Sequence, residues 1–223
     1  MYDLHNTAVL NGELNGLANL GVKGLGIVFK NNFNKSRYEK AKEKFEKEYS
    51  NIDLISAVEI TKKTKGKIKT QLDKVRNQVD IVFVSSRDDR AMRAAPEMKG
   101  VDIISHAFVD QSAARDCADN NIALEINLKD ILSTYGMKRA NLISKIKFDL
   151  RMARKYNTPL IFTSGASDMY GMRSPKQLVA FAESIGFKPD EAKKAVLKTP
   201  KKIVERNRKR KGRKSVGKGV KKI

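Results

Sequence analysis

Two polar side chains near the start of the chain, Asp3 and His5, are of the types that bind metal ions. They stand two residues apart in a strand-like run, so both would project from one face of a strand, and a carboxylate beside an imidazole suits a divalent cation. Catalytic sites usually take three or more protein ligands, and the chain has one other histidine, His106. Glu59 and Asp168, at other predicted strand ends, could complete the set. We favour the simpler interpretation, in which these groups form local hydrogen bonds and bind no metal.

Two loops rich in small residues lack the spacing of known catalytic or nucleotide-binding motifs. Segment 21–26 (GVKGLG) precedes a predicted strand, whereas a dinucleotide-binding turn follows a strand and opens a helix. It therefore predicts a simple turn. Segment 164–167 (SGAS) does follow a strand, but it is not the Gly-x-Ser-x-Gly of a nucleophile elbow. Its backbone N–H groups remain candidates for holding an anion.

The net charge predicts an anionic partner. The chain has 46 Lys and Arg against 25 Asp and Glu among 223 residues, a formal charge of +21. Nucleic acid is the first candidate because phosphates accept many such contacts and release counterions. There is no Trp and no RNP-like or zinc-knuckle signature. We therefore expect recognition of folded RNA by its backbone and shape, rather than by stacking of unpaired bases.

Several basic residues of the body stand near predicted helix starts. Three arginines recur every three residues and would share one helix face, and the guanidinium group binds phosphate in a bidentate manner. The candidate RNA-binding residues of the body are Arg87, Arg90, Arg93, Lys138, Arg139, Arg173 and Lys176.

The C-terminal segment is the most basic part of the chain. Residues 201–223 hold 12 Lys and Arg against one Glu, a net charge of +11 by difference. Such a segment cannot bury itself, so we predict a flexible tail over residues 205–223 after a folded domain over residues 1–204. The candidate RNA-binding residues of this tail are Arg206, Arg208, Lys209, Arg210, Lys211, Arg213 and Lys214.

Short apolar runs alternate with helical patterns along the body. Runs without strict alternation are typical of strands buried on both faces of a parallel sheet. The predicted strands are residues 2–5, 24–29, 54–60, 81–84, 102–105, 123–127 and 160–163. The predicted helices are residues 35–49, 70–77, 88–98, 111–120, 138–156, 175–185 and 189–206. Seven such units predict an α/β fold, either an open doubly wound sheet or a TIM-type barrel.

The sequence resembles a known family, ribonuclease P protein component 3, the archaeal relative of the thirty-kilodalton eukaryotic subunit. The resemblance covers the body to about Arg206. The segments that carry it are Tyr2-Asp3-Leu4-His5, Arg139-Ala140-Asn141-Leu142, Thr163-Ser164-Gly165-Ala166 and Arg173-Ser174-Pro175-Lys176-Gln177-Leu178. The resemblance implies a TIM-barrel-like fold related to the polymerase-and-histidinol-phosphatase superfamily of metal phosphoesterases. Thr7 and Tyr170 stand where that superfamily has further histidine ligands, so Asp3, His5, Glu59, His106 and Asp168 would be a degenerate remnant that binds no metal.

The resemblance also implies a function and partners. In this family the RNA subunit, with Mg²⁺, removes the 5′ leader of precursor tRNA, and the protein binds the catalytic RNA without being catalytic itself. The implied partners are ribonuclease P RNA, a second small protein subunit in a heterodimer or heterotetramer, and precursor tRNA indirectly. Residues at basic positions of the family are Arg90, Arg93, Arg139 and Arg173.

Two other functions remain as alternatives. A general RNA- or ribosome-associated protein would bind mainly through the tail, and a free-standing phosphoesterase would need a metal at the candidate ligands. No run of about 18 apolar residues and no signal-peptide pattern occurs, and the single cysteine, Cys117, allows no intramolecular disulfide. These features favour the cytoplasm and no membrane partner.

Overall fold

The strands follow the apolar runs of the sequence closely. The structure, a computed structural model, describes residues 1–11, 16–86, 88–105 and 109–213. Within them seven parallel strands form one sheet in sequence order. The strands are β1 (Tyr2–Asn6), β2 (Gly24–Lys30), β3 (Asp53–Ile60), β4 (Ile81–Val84), β5 (Ile103–Ser105), β6 (Ala123–Asn127) and β7 (Leu160–Thr163). Each end lies within one residue of its predicted position.

The sheet curves into a nearly closed barrel, which confirms the TIM-barrel-like interpretation. The first strand meets the segment after the last one, where the Ser164 N–H donates to Asp3 Oδ1 at 3.1 Å and the Thr7 N–H donates to the Ala166 carbonyl at 2.9 Å. Gly26 allows β1 to approach β2, because a Cβ at this position would lie 2.0 Å from the Leu4 carbonyl oxygen. Segment 21–26 is therefore a turn that leads into a strand with a sterically required glycine.

Apolar side chains form two layers on opposite faces of the strands. One layer fills the barrel interior, with Ile55, Phe83 and Ile103 among its fully buried members. The other lies between the strands and the surrounding helices, as Ile60 and Phe162 illustrate. Burial on both faces explains why the strands show no polar alternation in the sequence.

Helices surround the sheet. They are α1 (Ala8–Asn11), α2 (Lys35–Glu48), α3 (Lys65–Val75), α4 (Asp89–Ala94), α5 (Gln111–Asp119), α6 (Leu128–Leu132), α7 (Gly136–Tyr156), α8 (Pro175–Ser184), α9 (Pro189–Lys193) and α10 (Thr199–Arg213). Helix α3 begins five residues before its predicted start because the Thr64 hydroxyl accepts a hydrogen bond from the Lys67 N–H and caps it. Helices α1 and α6 are short and were not predicted.

The last helix differs from its prediction. A π-helical turn (Lys194–Lys198) joins α9 to α10, and α10 continues to Arg213. Helix α10 therefore crosses the domain boundary predicted after residue 204, and residues 205–213 of the tail predicted over residues 205–223 are helical. Residues 214–223 lie outside the described part of the chain. Within the part that is described, no helix is both long and apolar enough to cross a membrane.

Candidate nucleic-acid interface

A buried polar cluster lies near the carboxyl ends of the strands. The His5 Nδ1–H donates to the carboxylate of Glu125 on β6, with Nδ1 3.0 Å from Oε1 and 2.9 Å from Oε2. The hydroxyls of Ser105 on β5 and Thr163 on β7 also donate to this carboxylate, the latter at 2.6 Å. The His5 ring packs 4.8 Å from that of Phe83, centre to centre. The cluster thus ties the first strand to three strands across the barrel.

The carboxylates keep His5 charged. Burial alone lowers the pKa of His5, but Glu125, Glu59 and Asp3 together outweigh burial and raise that pKa to about 9. Burial also opposes ionisation of Glu125, yet His5 and the two hydroxyls hold the Glu125 pKa below its usual value. Burial raises the pKa of Asp3 to about 6, against the hydrogen bonds that Asp3 accepts from Ser164. His5 and Glu125 therefore form an ion pair at neutral pH.

The proposed remnant of a metal site is only partly assembled. Asp3, His5 and Glu59 lie close enough to interact electrostatically, whereas the exposed carboxylate of Asp168 accepts from the Gly171 N–H at 2.8 Å and caps a short 3-10 helix (Met169–Gly171). His106 lies outside the described residues. Among those that are described, no group of three His, Cys, Asp or Glu side chains is arranged to hold a metal ion.

Sequence reasoning missed Glu125, which is the main partner of His5. Its signal was the only charged residue in a short strand that is otherwise apolar except for Asn127, and it lies on the same strand face as Ala123 and Asn127. A buried charge of this kind needs a partner, but the sequence did not indicate which residue, 120 positions away, would supply it.

Backbone N–H groups of the loop that follows β7 already donate hydrogen bonds within the protein. The Ser164 N–H donates to Asp3, and the Ala166 N–H donates to the Ser164 hydroxyl at 3.1 Å. Gly165 has a φ of +65°, and a Cβ there would lie 2.0 Å from Asn127 Oδ1. The expectation that this loop binds an anion is not supported at Ser164 and Ala166, because both donors are already engaged.

The basic residues predicted on the body gather at one end of the barrel. In a parallel βα barrel each helix begins where the preceding strand ends, and we call this end the C-terminal rim. Arg90 and Arg93 lie on α4, Lys138 and Arg139 lie in the first turn of α7, and Lys176 lies in the first turn of α8. Arg173 lies immediately before Ser174, the N-cap residue of α8. Arg87 lies outside the described residues.

These rim cations differ in how freely they reach solvent. The side chains of Arg90, Lys138 and Lys176 are exposed. Arg93 forms an exposed ion pair with Asp110 at 3.3 Å, which is weak in water. All the predicted helix-start cations that the structure describes thus lie at one rim, where the positive ends of the helix dipoles also point.

The basic residues Arg206, Arg208, Arg210 and Lys211 of the predicted tail lie at the opposite end, where the strands begin. Asp53 is the first residue of β3, and Asp80 and Asp102 immediately precede β4 and β5. Arg208 makes a bidentate pair with Asp53, with nitrogen–oxygen distances of 2.7 and 3.0 Å. Lys211 Nζ lies 2.9 Å from Asp80 Oδ1. The three aspartates and the α10 residues that contact them are called the clasp from here on.

Further contacts join the clasp to the barrel. Arg206 donates to the Asn121 carbonyl at 2.5 Å and to Asp102 at 3.4 Å. The fully buried Asn207 donates to the Asp80 carbonyl at 3.0 Å. Two apolar residues of α10, Ile203 and Val204, complete the interior layer of the barrel. Helix α10 therefore closes the end of the barrel at which the strands begin.

The fold shifts the pKa values of two clasp aspartates, Asp80 and Asp102, in opposite directions. Burial opposes ionisation of Asp80, but Lys211, the Ser56 N–H and Arg208 hold the Asp80 pKa below its usual value. Burial raises the pKa of Asp102 even though Arg76 Nη1 lies 3.2 Å from its carboxylate. Of these two aspartates, Asp80 is the one whose ionised form the fold stabilises.

The clasp changes the interpretation of the predicted tail cations. Arg206, Arg208 and Lys211 are engaged by carboxylates, and Arg210 lies 3.9 Å from Asp102. Lys209 is exposed and has no polar partner among the described residues. The side chain of Arg213 and all of Lys214 lie outside the described part. RNA contact by this segment stays a prediction, and it would compete with the ion pairs of the clasp.

Comparison with known proteins identifies the fold and the family. A family model described as RNase P subunit p30 matches residues 1–212. The chain belongs to the RNase P subunit p30 family. Ribonuclease P protein component 3 of Methanosarcina mazei is 34% identical over 163 residues, which cover 70% of this chain and 68% of that relative. The same protein of Methanothermobacter thermautotrophicus is 28% identical over 165 residues, which cover 71% and 67%.

Solved structures agree with this membership of the p30 family. A chain of an archaeal ribonuclease P, seen with mature tRNA by cryo-electron microscopy, superposes with a TM-score of 0.83 at 25% identity over 100% of this chain and 98% of that chain. Histidinol phosphate phosphatase from Lactococcus lactis superposes with a TM-score of 0.54 at 12% identity, covering 78% and 85%, which shows a shared fold alone. The p30 match extends to residue 212, so the basic clasp helix lies within the family's region, contrary to our expectation.

Proposed function

We propose that this chain is a non-catalytic protein subunit of ribonuclease P, which binds and stabilises the catalytic RNA for removal of the 5′ leader of precursor tRNA. The observation that carries the proposal is the p30 family match over residues 1–212, nearly the whole chain. The net charge of +21 supports a polyanionic partner. In this proposal the chain is part of an endoribonuclease whose catalytic groups belong to the RNA subunit.

The C-terminal rim is the surface that we assign to the RNA. Arg90, Lys138 and Lys176 extend into solvent there, and Arg139 and Arg173 lie beside them on the neighbouring βα segments. Fixed cations of this kind offset the repulsion between phosphates that a densely folded RNA brings together. Binding at the rim would stabilise the folded RNA and lower the concentration of Mg²⁺ that it requires.

The buried His5–Glu125 pair supports a non-catalytic role for the chain. Only 12% of the His5 side chain and none of the Glu125 side chain is exposed, and the donors around Glu125 are already engaged. Mg²⁺ enters the proposal through the RNA subunit. A free-standing phosphoesterase is less well supported, because the family model that matches residues 1–212 is that of an RNase P subunit.

The remaining partners in the proposal are proteins and the substrate. A second small protein subunit of ribonuclease P would pair with this chain in a heterodimer or heterotetramer, and precursor tRNA would contact the chain indirectly. The proposed location is the cytoplasm. A general RNA-associated protein held by its tail is less well supported, because Arg206, Arg208 and Lys211 are engaged in the clasp.

Binding of the full chain to its cognate ribonuclease P RNA tests the assignment of the rim. We expect Lys138→Ala and Arg173→Ala each to weaken binding and to reduce the slope of log K against log salt by about 1. Lys47→Ala is a matched control, since Lys47 is exposed in the last turn of α2 at the opposite end. The assignment fails if Lys47→Ala weakens binding as much as the rim variants do.

A further inference from the structure

Large apolar side chains are exposed together at one part of the C-terminal rim. Among the described residues six large apolar side chains are exposed, and four of them lie in segments 128–139 and 167–177, which follow β6 and β7: Leu132, Tyr135, Met137 and Tyr170. The two tyrosines are the most open, at 79% and 92% exposure. Exposed apolar groups that cluster in this way commonly mark a binding surface.

The backbone holds Tyr135 in this exposed position. Helix α6 ends at Leu132 and α7 begins at Gly136, whose φ of +53° is in the left-handed region. Tyr135 is the extended residue between them, so its ring projects from a tight corner. Helix α6 is itself tied to the segment after β7, since the Lys129 N–H donates to the Ser164 carbonyl at 3.1 Å. The two exposed tyrosines therefore lie on adjacent segments of one rim.

An arginine is fixed beside each tyrosine. Arg139 Nε donates to the carbonyl of Thr134, next to Tyr135, at 2.6 Å. Arg173 Nη1 donates to the carbonyl of Tyr170 itself at 2.5 Å. Within the described part of the chain, Arg139 Nη1 and Arg173 Nη2 form no hydrogen bond, so each guanidinium keeps donors for a ligand. Each tyrosine thus has a free aromatic face and an oriented cation next to it.

The charge around the two tyrosine–arginine pairs indicates what kind of ligand binds there. Segments 128–139 and 167–177 carry five cations (Lys129, Lys138, Arg139, Arg173 and Lys176) against two carboxylates (Asp130 and Asp168). The occupant should therefore be anionic and should also present flat apolar groups. Unpaired nucleotides meet both conditions, whereas in duplex RNA the bases are stacked inside and only the phosphates are accessible.

We propose that Tyr135 with Arg139 and Tyr170 with Arg173 form two binding positions for unpaired RNA nucleotides, in which the base stacks on the tyrosine ring and the phosphate binds the guanidinium. This inference rests on the proposed function, because both assume that RNA binds at the C-terminal rim. It revises the expectation from sequence that stacking plays little part in recognition.

Binding of the full chain to two labelled RNAs tests this inference. One probe is a single-stranded oligouridine of about ten nucleotides, within the site sizes known for stacking proteins, and the other is an RNA duplex of similar length. We expect Tyr135→Ala and Tyr170→Ala each to weaken single-strand binding by about tenfold and to change duplex binding by less than about twofold, since cations carry it. Tyr135→Phe and Tyr170→Phe keep the ring and should retain single-strand binding.

Tyrosine fluorescence gives a second readout. The chain has six Tyr and no Trp, so quenching by the oligouridine reports stacking on tyrosine, and the double alanine variant should lose most of that quenching. The inference is overturned if both alanine variants bind the oligouridine like the wild type. It is also overturned if the second protein subunit, and not RNA, shields the two rings from acrylamide.

A failure of the inference is distinguishable from a failure of the proposed function. If the wild-type chain binds its cognate ribonuclease P RNA while the tyrosine variants behave normally with the oligouridine, only the stacking positions are refuted. If the wild-type chain does not bind that RNA, the proposed function fails.

Discussion

Replacing Asp80 with Asn tests whether the basic segment of α10 is a structural clasp or a free arm. The Asp80 side chain is 13% exposed, and its carboxylate lies 2.9 Å from Lys211 Nζ and 3.8 Å from Arg208 Nη2. It also accepts hydrogen bonds from the N–H and hydroxyl of Ser56, at 3.2 and 3.1 Å. The substitution keeps the shape of the side chain and removes its charge.

The expected cost follows from these contacts. A hydrogen bond to a charged group contributes about 1.5–3 kcal/mol, and Lys211 is 33% exposed, so solvent screens part of the interaction. We expect Asp80→Asn to lower the free energy of unfolding by about 2 kcal/mol. The control is Asp119→Asn, because Asp119 is 67% exposed and pairs with Arg115 at 3.8 Å. Its loss should cost no more than about 0.5 kcal/mol.

Urea unfolding followed by circular dichroism measures both changes. A double-mutant cycle with Lys211→Gln isolates the pair, and we expect a coupling of about 1 kcal/mol. The Asp80 pKa is lowered in the fold, so this stabilisation is present above the unfolded pKa of 3.8 and is lost as the pH falls through the folded value. A cycle with no coupling, and an Asp80→Asn variant as stable as the Asp119→Asn control, would refute the clasp.

Two further predictions concern the barrel itself. The pKa of His5 is raised from 6.5 to about 9, so the contribution of His5 to the free energy of unfolding should be complete below pH 6.5 and should fall as the pH rises towards 9. Urea unfolding of the His5→Gln variant should lack this fall. An equal fall in the variant would contradict the assignment. Gly26→Ala places a Cβ 2.0 Å from the Leu4 carbonyl oxygen, so we expect a loss of about 3 kcal/mol or failure to fold. Gly66→Ala, where a Cβ meets nothing within 4 Å, is the matched control, and equal stability of the two variants would refute the steric argument.

The strands were predictable because their signal is local. Runs such as 81–84 are apolar at every position, which is what burial on both faces of a parallel sheet requires. The start of α3 was missed because its first turn is rich in lysine and contains a glycine, Lys65-Gly66-Lys67. Its capping residue, Thr64, was the available signal.

The clasp and the His5–Glu125 pair were not predictable in the same way. Both depend on partners far away in the sequence: Arg208 pairs with Asp53 across 155 positions. From its composition, a segment such as 205–213 is predicted to be a flexible chain. Composition gives the excess of positive charge in the segment, but it does not show where the opposite charges lie in the fold. The structure places this segment in α10, and the family match extends to residue 212.

Cleavage of precursor tRNA at varied Mg²⁺ tests the central claim most directly. The assay compares the chain alone, its cognate ribonuclease P RNA alone, and that RNA with the chain and the second protein subunit. The account predicts that the chain alone is inactive, that adding it to the RNA and the second subunit lowers the Mg²⁺ required for cleavage, and that Lys138→Ala and Arg173→Ala weaken this effect. Cleavage by the chain alone, or an unchanged Mg²⁺ requirement, would contradict it.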